Sequence, residues 1–189
     1  MKVTHVLLLF LSGFFFSGSS SYADYYDYYY QRPPPIISLN VNEQDSRNVS
    51  LRIAAREGRI ADLKDLLKNG AQLDSRNDDG DTALMEASMY CKPKVIHQLL
   101  ENRANANLQN IHGDTALMLA VQQSCLKAVK LLLKVPKLKL TVKDHRGETA
   151  LDLAISDATP FVDGPPIEIL QLIESRVDHS LRKSGREAQ

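Results

Sequence analysis

Ser75, Asn77, Asp79, Gly80 and Glu86 stand where a calcium-binding loop places its first, third, fifth, sixth and twelfth residues. Such a loop needs carboxylate oxygens at its ligating places and a glycine at the sixth for the sharp turn. Here the first place holds Ser75 and the eighth Thr82, which leaves the ligand set short of charge. His97, His112, His145 and His179 form no i, i+4 pair and have no cysteine at metal-ligand spacing. His112 and His145 stand thirty-three residues apart, at the fingertips of adjacent units, and are expected at the surface in contact with a partner. No Gly-x-Ser-x-Gly elbow, phosphate loop or pair of catalytic carboxylates occurs. We therefore assign no catalytic residue, cofactor or metal, and expect no enzyme.

Cys91 and Cys125 are the two thiols. Both fall in turns between short helices, in adjacent repeats of the chain. Equivalent places in stacked repeats lie about one helix diameter apart, ~10 Å. A disulfide requires Cα atoms within ~7 Å. Cys91 aligns with Ser124, one residue before Cys125, so the two are out of register by one. The spacing leaves both states open, a bonded pair or two small thiols in turns.

The elements that must carry these residues follow from a period. Gly80-Asp81-Thr82-Ala83-Leu84-Met85 returns thirty-three residues later as Gly113-Asp114-Thr115-Ala116-Leu117-Met118. Thirty-four further on stands Gly147-Glu148-Thr149-Ala150-Leu151-Asp152. Leu66-Leu67, Leu99-Leu100 and Leu132-Leu133 recur in step, as do Ala54, Ala87, Ala120 and Ala154. Three landmarks at one period predict a solenoid. Within each unit, apolar residues at i, i+3 and i+4 mark a short helix, as in Leu51, Ala54 and Ala55. A second stripe carries Leu63, Leu66 and Leu67 and ends near Gly70, a left-handed helix cap. Asp74 to Gly80 is rich in turn residues and is expected to project as a loop. Neither helix can bury its stripe alone, so neighbouring units must stack.

Asp78-Asp79-Gly80-Asp81-Thr82-Ala83-Leu84, with Lys68-Asn69-Gly70-Ala71 closing the unit before it, resembles the ankyrin-repeat family. The resemblance covers about 46–175, in units 46–77, 78–110, 111–143 and 144–175. It implies an all-α solenoid of about four helix-turn-helix units with projecting hairpin loops. The family usually has proline after the Thr and histidine after the Leu. Here those places hold alanine, then Met85, Met118 and Asp152. The first unit lacks the Gly-x-Thr start and reads as an N-terminal cap. The fourth has an insert, Asp157 to Pro166, expected to be a loop. The resemblance also implies a protein partner bound by the fingertips and concave face. The corresponding residues are Asp78, Asp79, Asp81, Met89 and Tyr90, then Ile111, His112, Asp114, Gln122 and Gln123, then His145, Arg146 and Glu148. Met89 and Tyr90 are expected to be its exposed anchors.

The ends of the chain differ in character from the repeats. Lys2 precedes a run from Val6 to Phe16 that is almost wholly apolar, and Ser21-Tyr22-Ala23 offers small residues at a cleavage site. We read 1–23 as a secretory signal peptide cut near Ala23. The run is too short to span ~30 Å of hydrocarbon, so no stable membrane insertion is expected after cleavage. A periplasmic or extracellular protein follows. Residues 24–45 form a linker with six tyrosines between Tyr22 and Tyr30 close by, then a triple proline. The polar stretch 176–189 is expected to fray. Basic and acidic residues balance at 23 each, which argues against a nucleic-acid partner. One basic region stands out: Lys127, Lys130, Lys134, Lys137, Lys139, Lys143 and Arg146. Asn48-Val49-Ser50 is a glycosylation sequon, relevant only in a eukaryote. The expected protein is a monomeric, exported interaction module. A host-directed effector and an envelope protein held by its Tyr-rich leader are the alternatives.

Overall fold

A computed structural model describes residues 43–157 and 165–187. The expected signal peptide, most of the expected Tyr-rich linker and most of the expected insert after Asp157 lie outside the described residues. Eight helices follow in order. They are α1 (Glu43–Glu57), α2 (Ile60–Lys68), α3 (Ala83–Met89), α4 (Pro93–Glu101), α5 (Ala116–Gln122), α6 (Leu126–Leu132), α7 (Ala150–Asp157) and α8 (Pro165–Glu187). No strand occurs among the described residues. The helices pair within units and stack between them: α1 on α3, α3 on α5, α5 on α7, and α4 on α6, α6 on α8. This is an all-helical solenoid of four helix-turn-helix units.

The core runs lengthwise through the stack. Leu51, Leu84 and Leu117 are buried, with Ala54, Ala87, Ala120 and Ala154 beside them. Alanine is required there because first helices of successive units press face to face, and close approach leaves no room for more. Leu63, Ile96, Leu99, Leu132, Ile169 and Ile173 fill the other side.

Local chemistry sets the ends of the helices. Thr82 and Thr115 cap α3 and α5, their hydroxyls accepting from the N–H of Met85 and Met118 at 3.3 Å. The methionine sulfurs accept the threonine N–H in return, at 3.5 and 3.4 Å. A thioether is a weak acceptor. At α7 a carboxylate takes that role: Asp152 Oδ2 accepts from Thr149 N at 2.8 Å and from its hydroxyl at 2.7 Å. The Thr149 backbone N–H, then its hydroxyl, holds the Asp152 carboxyl below the ordinary carboxylate range. So the residues that depart from the family pattern still close the capping box.

Two boundaries differ from expectation. Helix α1 begins at Glu43, inside the expected linker, with Glu43 and Asp45 in its first turn, where negative charge suits the helix dipole. Helix α8 continues through the expected polar tail to Glu187. Its residues are mostly good helix formers with no proline after Pro166, and Ile169 and Ile173 anchor its first half. The sequon asparagine, Asn48, is buried in α1, and its Oδ1 accepts from Gln72 N at 2.8 Å. It is a strut of the first unit and is closed to glycan attachment in the folded chain.

Candidate interaction surface

Three fingers project between units, and each is built on one side chain. Asn77, Asn110 and Asp144 occupy equivalent places. Their Oδ1 atoms accept the N–H four residues on, from Asp81 at 2.7 Å, Asp114 at 2.9 Å and Glu148 at 2.9 Å. Asn110 and Asp144 also accept from the N–H two residues on, from His112 at 3.0 Å and Arg146 at 2.8 Å. A short polar side chain that mimics a backbone carbonyl is what makes asparagine and aspartate turn residues. Main-chain bonds close the same loops, such as Gly113 N to Asn110 O at 3.0 Å.

The fingers are tied to each other. Ile111 N donates to Asp79 O, and His145 N donates to His112 O, both at 2.9 Å. The tips therefore form one connected edge: Asp78-Asp79, Ile111-His112 and His145-Arg146. Ile111 is a large apolar side chain left 53 % exposed at its centre. Arg146 is braced at the third tip by Asp144 at 3.0 Å and Glu148 at 3.1 Å.

The residues expected to contact a partner divide in two. Asp78, Ile111, His145 and Arg146 are exposed, and Asp79, Tyr90, His112, Gln123 and Glu148 are partly so. Asp81, Met89, Asp114 and Gln122 are buried, none more than 7 % exposed. Met89 is therefore no exposed anchor. It follows Met85 by one turn on the stripe that α5 covers, and it packs in the core. Gln122 holds the matching place one unit on, its amide nitrogen 3.4 Å from Asp114 Oδ1.

A charged cluster behind the first finger was not foreseen. Arg56 grips Glu86 with two bonds, Nε to Oε2 at 3.0 Å and Nη2 to Oε1 at 2.9 Å. Glu86 is buried, and the guanidinium lies over the Tyr90 ring, 5.4 Å from its centroid. The bond to Glu86 raises the Arg56 pKa above its ordinary value. Arg52, four residues earlier, donates to Ser75 Oγ at 3.2 Å, and burial pulls its pKa down against the attraction of Glu86 and Asp78. The visible signal was Arg52 and Arg56 at i, i+4 on the face of α1 that meets the next unit. Cation and ring together hold Tyr90 at the C-terminal end of α3. The same pair removes Glu86 from any calcium loop. Among the described residues no group of three or more His, Cys, Asp or Glu could hold a metal ion.

Asp81 lies deepest in this cluster, 2 % exposed, with Asn110 Nδ2 donating to its Oδ1 at 2.9 Å. Burial pushes its carboxyl up to about 6, and Asn110 only partly opposes the shift. The folded pKa exceeds the unfolded one, so the protonated form is favoured on folding. Stability is then full below about pH 4 and falls as pH rises through about 6. Asp81→Asn keeps the acceptor and removes the charge. It is expected to add about 2 kcal/mol of stability at pH 7.5 and almost nothing at pH 4. Urea titrations at the two values would show it. An equal effect at both would mean that Asp81 is not ionised against the fold.

Cys91 and Cys125 are bonded, with Cα atoms 5.7 Å apart. The bond joins the turn of the second unit to the start of α6 in the third. The expected ~10 Å separation applies to equivalent residues. These two are offset by one, and Cys91 adopts φ 48, a left-handed turn shared by Ser124 at φ 47. The offset brings the two sulfurs together.

The family model described as ankyrin repeats (3 copies) matches residues 51–144 and 92–164. The two matches overlap and together span well over half of the chain. No curated protein matches the chain.

Proposed function

Since the chain belongs to the ankyrin-repeat family, whose members are protein–protein interaction modules, we propose that it is an exported module that binds a protein through its finger edge. The tied fingers carry this reading. The edge is held by main-chain bonds from Ile111 to Asp79 and from His145 to His112, so little ordering remains to be done on binding. Ile111 supplies an apolar centre and Asp78, His145 and Arg146 a polar rim, the usual plan of a contact patch. Tyr90, held by Arg56, adds an aromatic side chain at the C-terminal end of α3.

Export rests on two supports. The first residues have the pattern of a secretory signal, and the Cys91–Cys125 bond suits an oxidising compartment. Mass spectrometry of the exported protein is expected to find a mature N-terminus at Asp24.

The binding test is a crosslinking pull-down with residues 24–189. A second bait carries Asp78→Ala, Ile111→Ala and His145→Ala, and circular dichroism checks its fold. A protein captured by the first bait and lost with the second supports the finger edge. Equal capture by both baits moves the contact elsewhere.

A further inference from the structure

We propose that the third unit carries a second docking surface, separate from the fingers, for an acidic segment of a protein. This inference rests on the reading of the chain as a protein-binding module. Residues 111–143 contain six lysines, no arginine and one acidic residue, Asp114, which is buried. The unit therefore carries five net positive charges, counted as six minus one, with every lysine exposed. The second unit, 78–110, has three basic against five acidic residues, and the fourth, 144–175, has one against seven. The first unit, 46–77, has seven basic against four acidic residues, so the third unit carries the largest positive charge of the four.

The arrangement of these lysines is regular. Lys127 and Lys130, at i and i+3, share one side of α6, and Lys134 follows in the turn just after it. Along 137–143 exposure alternates. Lys137, Lys139, Thr141 and Lys143 are exposed, and Leu138, Leu140 and Val142 are withdrawn between them. Only Lys130 has an ion-pair partner among the described residues, Glu168 at 2.7 Å. Lys127, Lys134, Lys137, Lys139 and Lys143 make no ion pair among the described residues. Like charges held close on a folded surface repel one another, and an anionic partner relieves that cost.

The kind of anion follows from what surrounds the lysines. Residues 111–157 contain no Phe, Tyr or Trp, and the two histidines there, His112 and His145, stand at the fingertips and not between these lysines, so no large aromatic platform for a base accompanies the patch. Arginine, the residue that grips phosphate with a planar fork, is absent from the unit. The apolar residues between the lysines are only partly exposed and lie on no helix over 137–143, so the patch lacks the apolar helix face that enters a bilayer. Lysine ammonium groups act as point charges and ask only for carboxylates within reach. An extended segment with acidic residues at alternate places repeats every ~7 Å. That spacing suits the alternation along Lys137, Lys139 and Lys143.

The test uses the full mature chain and a labelled oligo-glutamate peptide, read by fluorescence anisotropy at low and at physiological salt. One variant changes Lys127, Lys134, Lys137, Lys139 and Lys143 to glutamine. A control variant removes as many charges from the first two units, at Lys64, Lys68, Lys92, Lys94 and Arg103, and thermal melts confirm both folds. The patch variant is expected to lose at least about tenfold in affinity and the control less than about threefold, with the difference shrinking as salt screens it. Equal loss in both variants would reduce the effect to net charge and overturn the proposal. So would wild-type binding to phosphatidylglycerol vesicles or single-stranded DNA where oligo-glutamate is ignored. Loss of the patch effect with finger-dependent capture intact would reject this surface alone.

Discussion

Opening the Cys91–Cys125 bond is expected to cost about 4 kcal/mol and lower the melting temperature by about 10 °C. The bonded residues are 34 apart in sequence, and closing a loop of that length in the unfolded chain accounts for the magnitude. Cys91→Ser with Cys125→Ser is a fair test, because Ser124 already adopts the same left-handed turn at φ 47. The substitution therefore brings little new backbone strain, and the loss reads the crosslink. The bond joins the second and third units, the middle of the array. In a stack stabilised by nearest-neighbour contacts, weakening the middle interface lets the two halves melt separately. The melt should broaden as well as shift. If both thiols react after reduction and the melting curve has not moved, the bond is not structural.

Gly113→Ala is expected to cost about 3 kcal/mol, and Gly147→Ala only about 1 kcal/mol. Both glycines have positive φ, 81 and 82, so a side chain strains each of them. Their surroundings differ. A Cβ on Gly113 would lie 2.8 Å from Asp144 Cα and from His145 N, backbone atoms of the next finger. That finger is held by its own bonds and by His145 N to His112 O, so it cannot step back without breaking the edge. Among the described residues nothing lies within 4 Å of the same atom on Gly147, and none of them packs a further finger against it. Chemical denaturation of the two variants side by side would check the gap. Equal losses would mean that the glycines serve only the turn and not the stacking of fingers.

Much of the architecture was readable from letters alone, for a definite reason. A repeat multiplies every local signal, so Thr82, Thr115 and Thr149 each support the assignment of the other two. What depends on the next unit was harder to read. Met89 ends a helix, where exposure is the usual state, yet its neighbour across the stack covers it. The clue was its spacing of four from Met85. Asp81 and Asp114 look like loop charges and are buried, Asp81 against Asn110 of the following unit and Asp114 beside Gln122 of its own. The cysteine pair needed the left-handed turn at Cys91, which no sequence pattern marks for a residue other than glycine. The half-buried grip of Arg56 on Glu86 crosses thirty residues and had no repeat to echo it, since Met89 and Leu119 hold the matching places in the next unit.

The disulfide also changes what the molecule is under load. Pulled from its two ends, a bonded chain cannot pay out the residues between Cys91 and Cys125. Those 34 steps would otherwise lengthen it by about 120 Å when fully drawn. The crosslink thus makes the centre of the array a fixed link that shortens its reach. The outer units on either side are left to yield first.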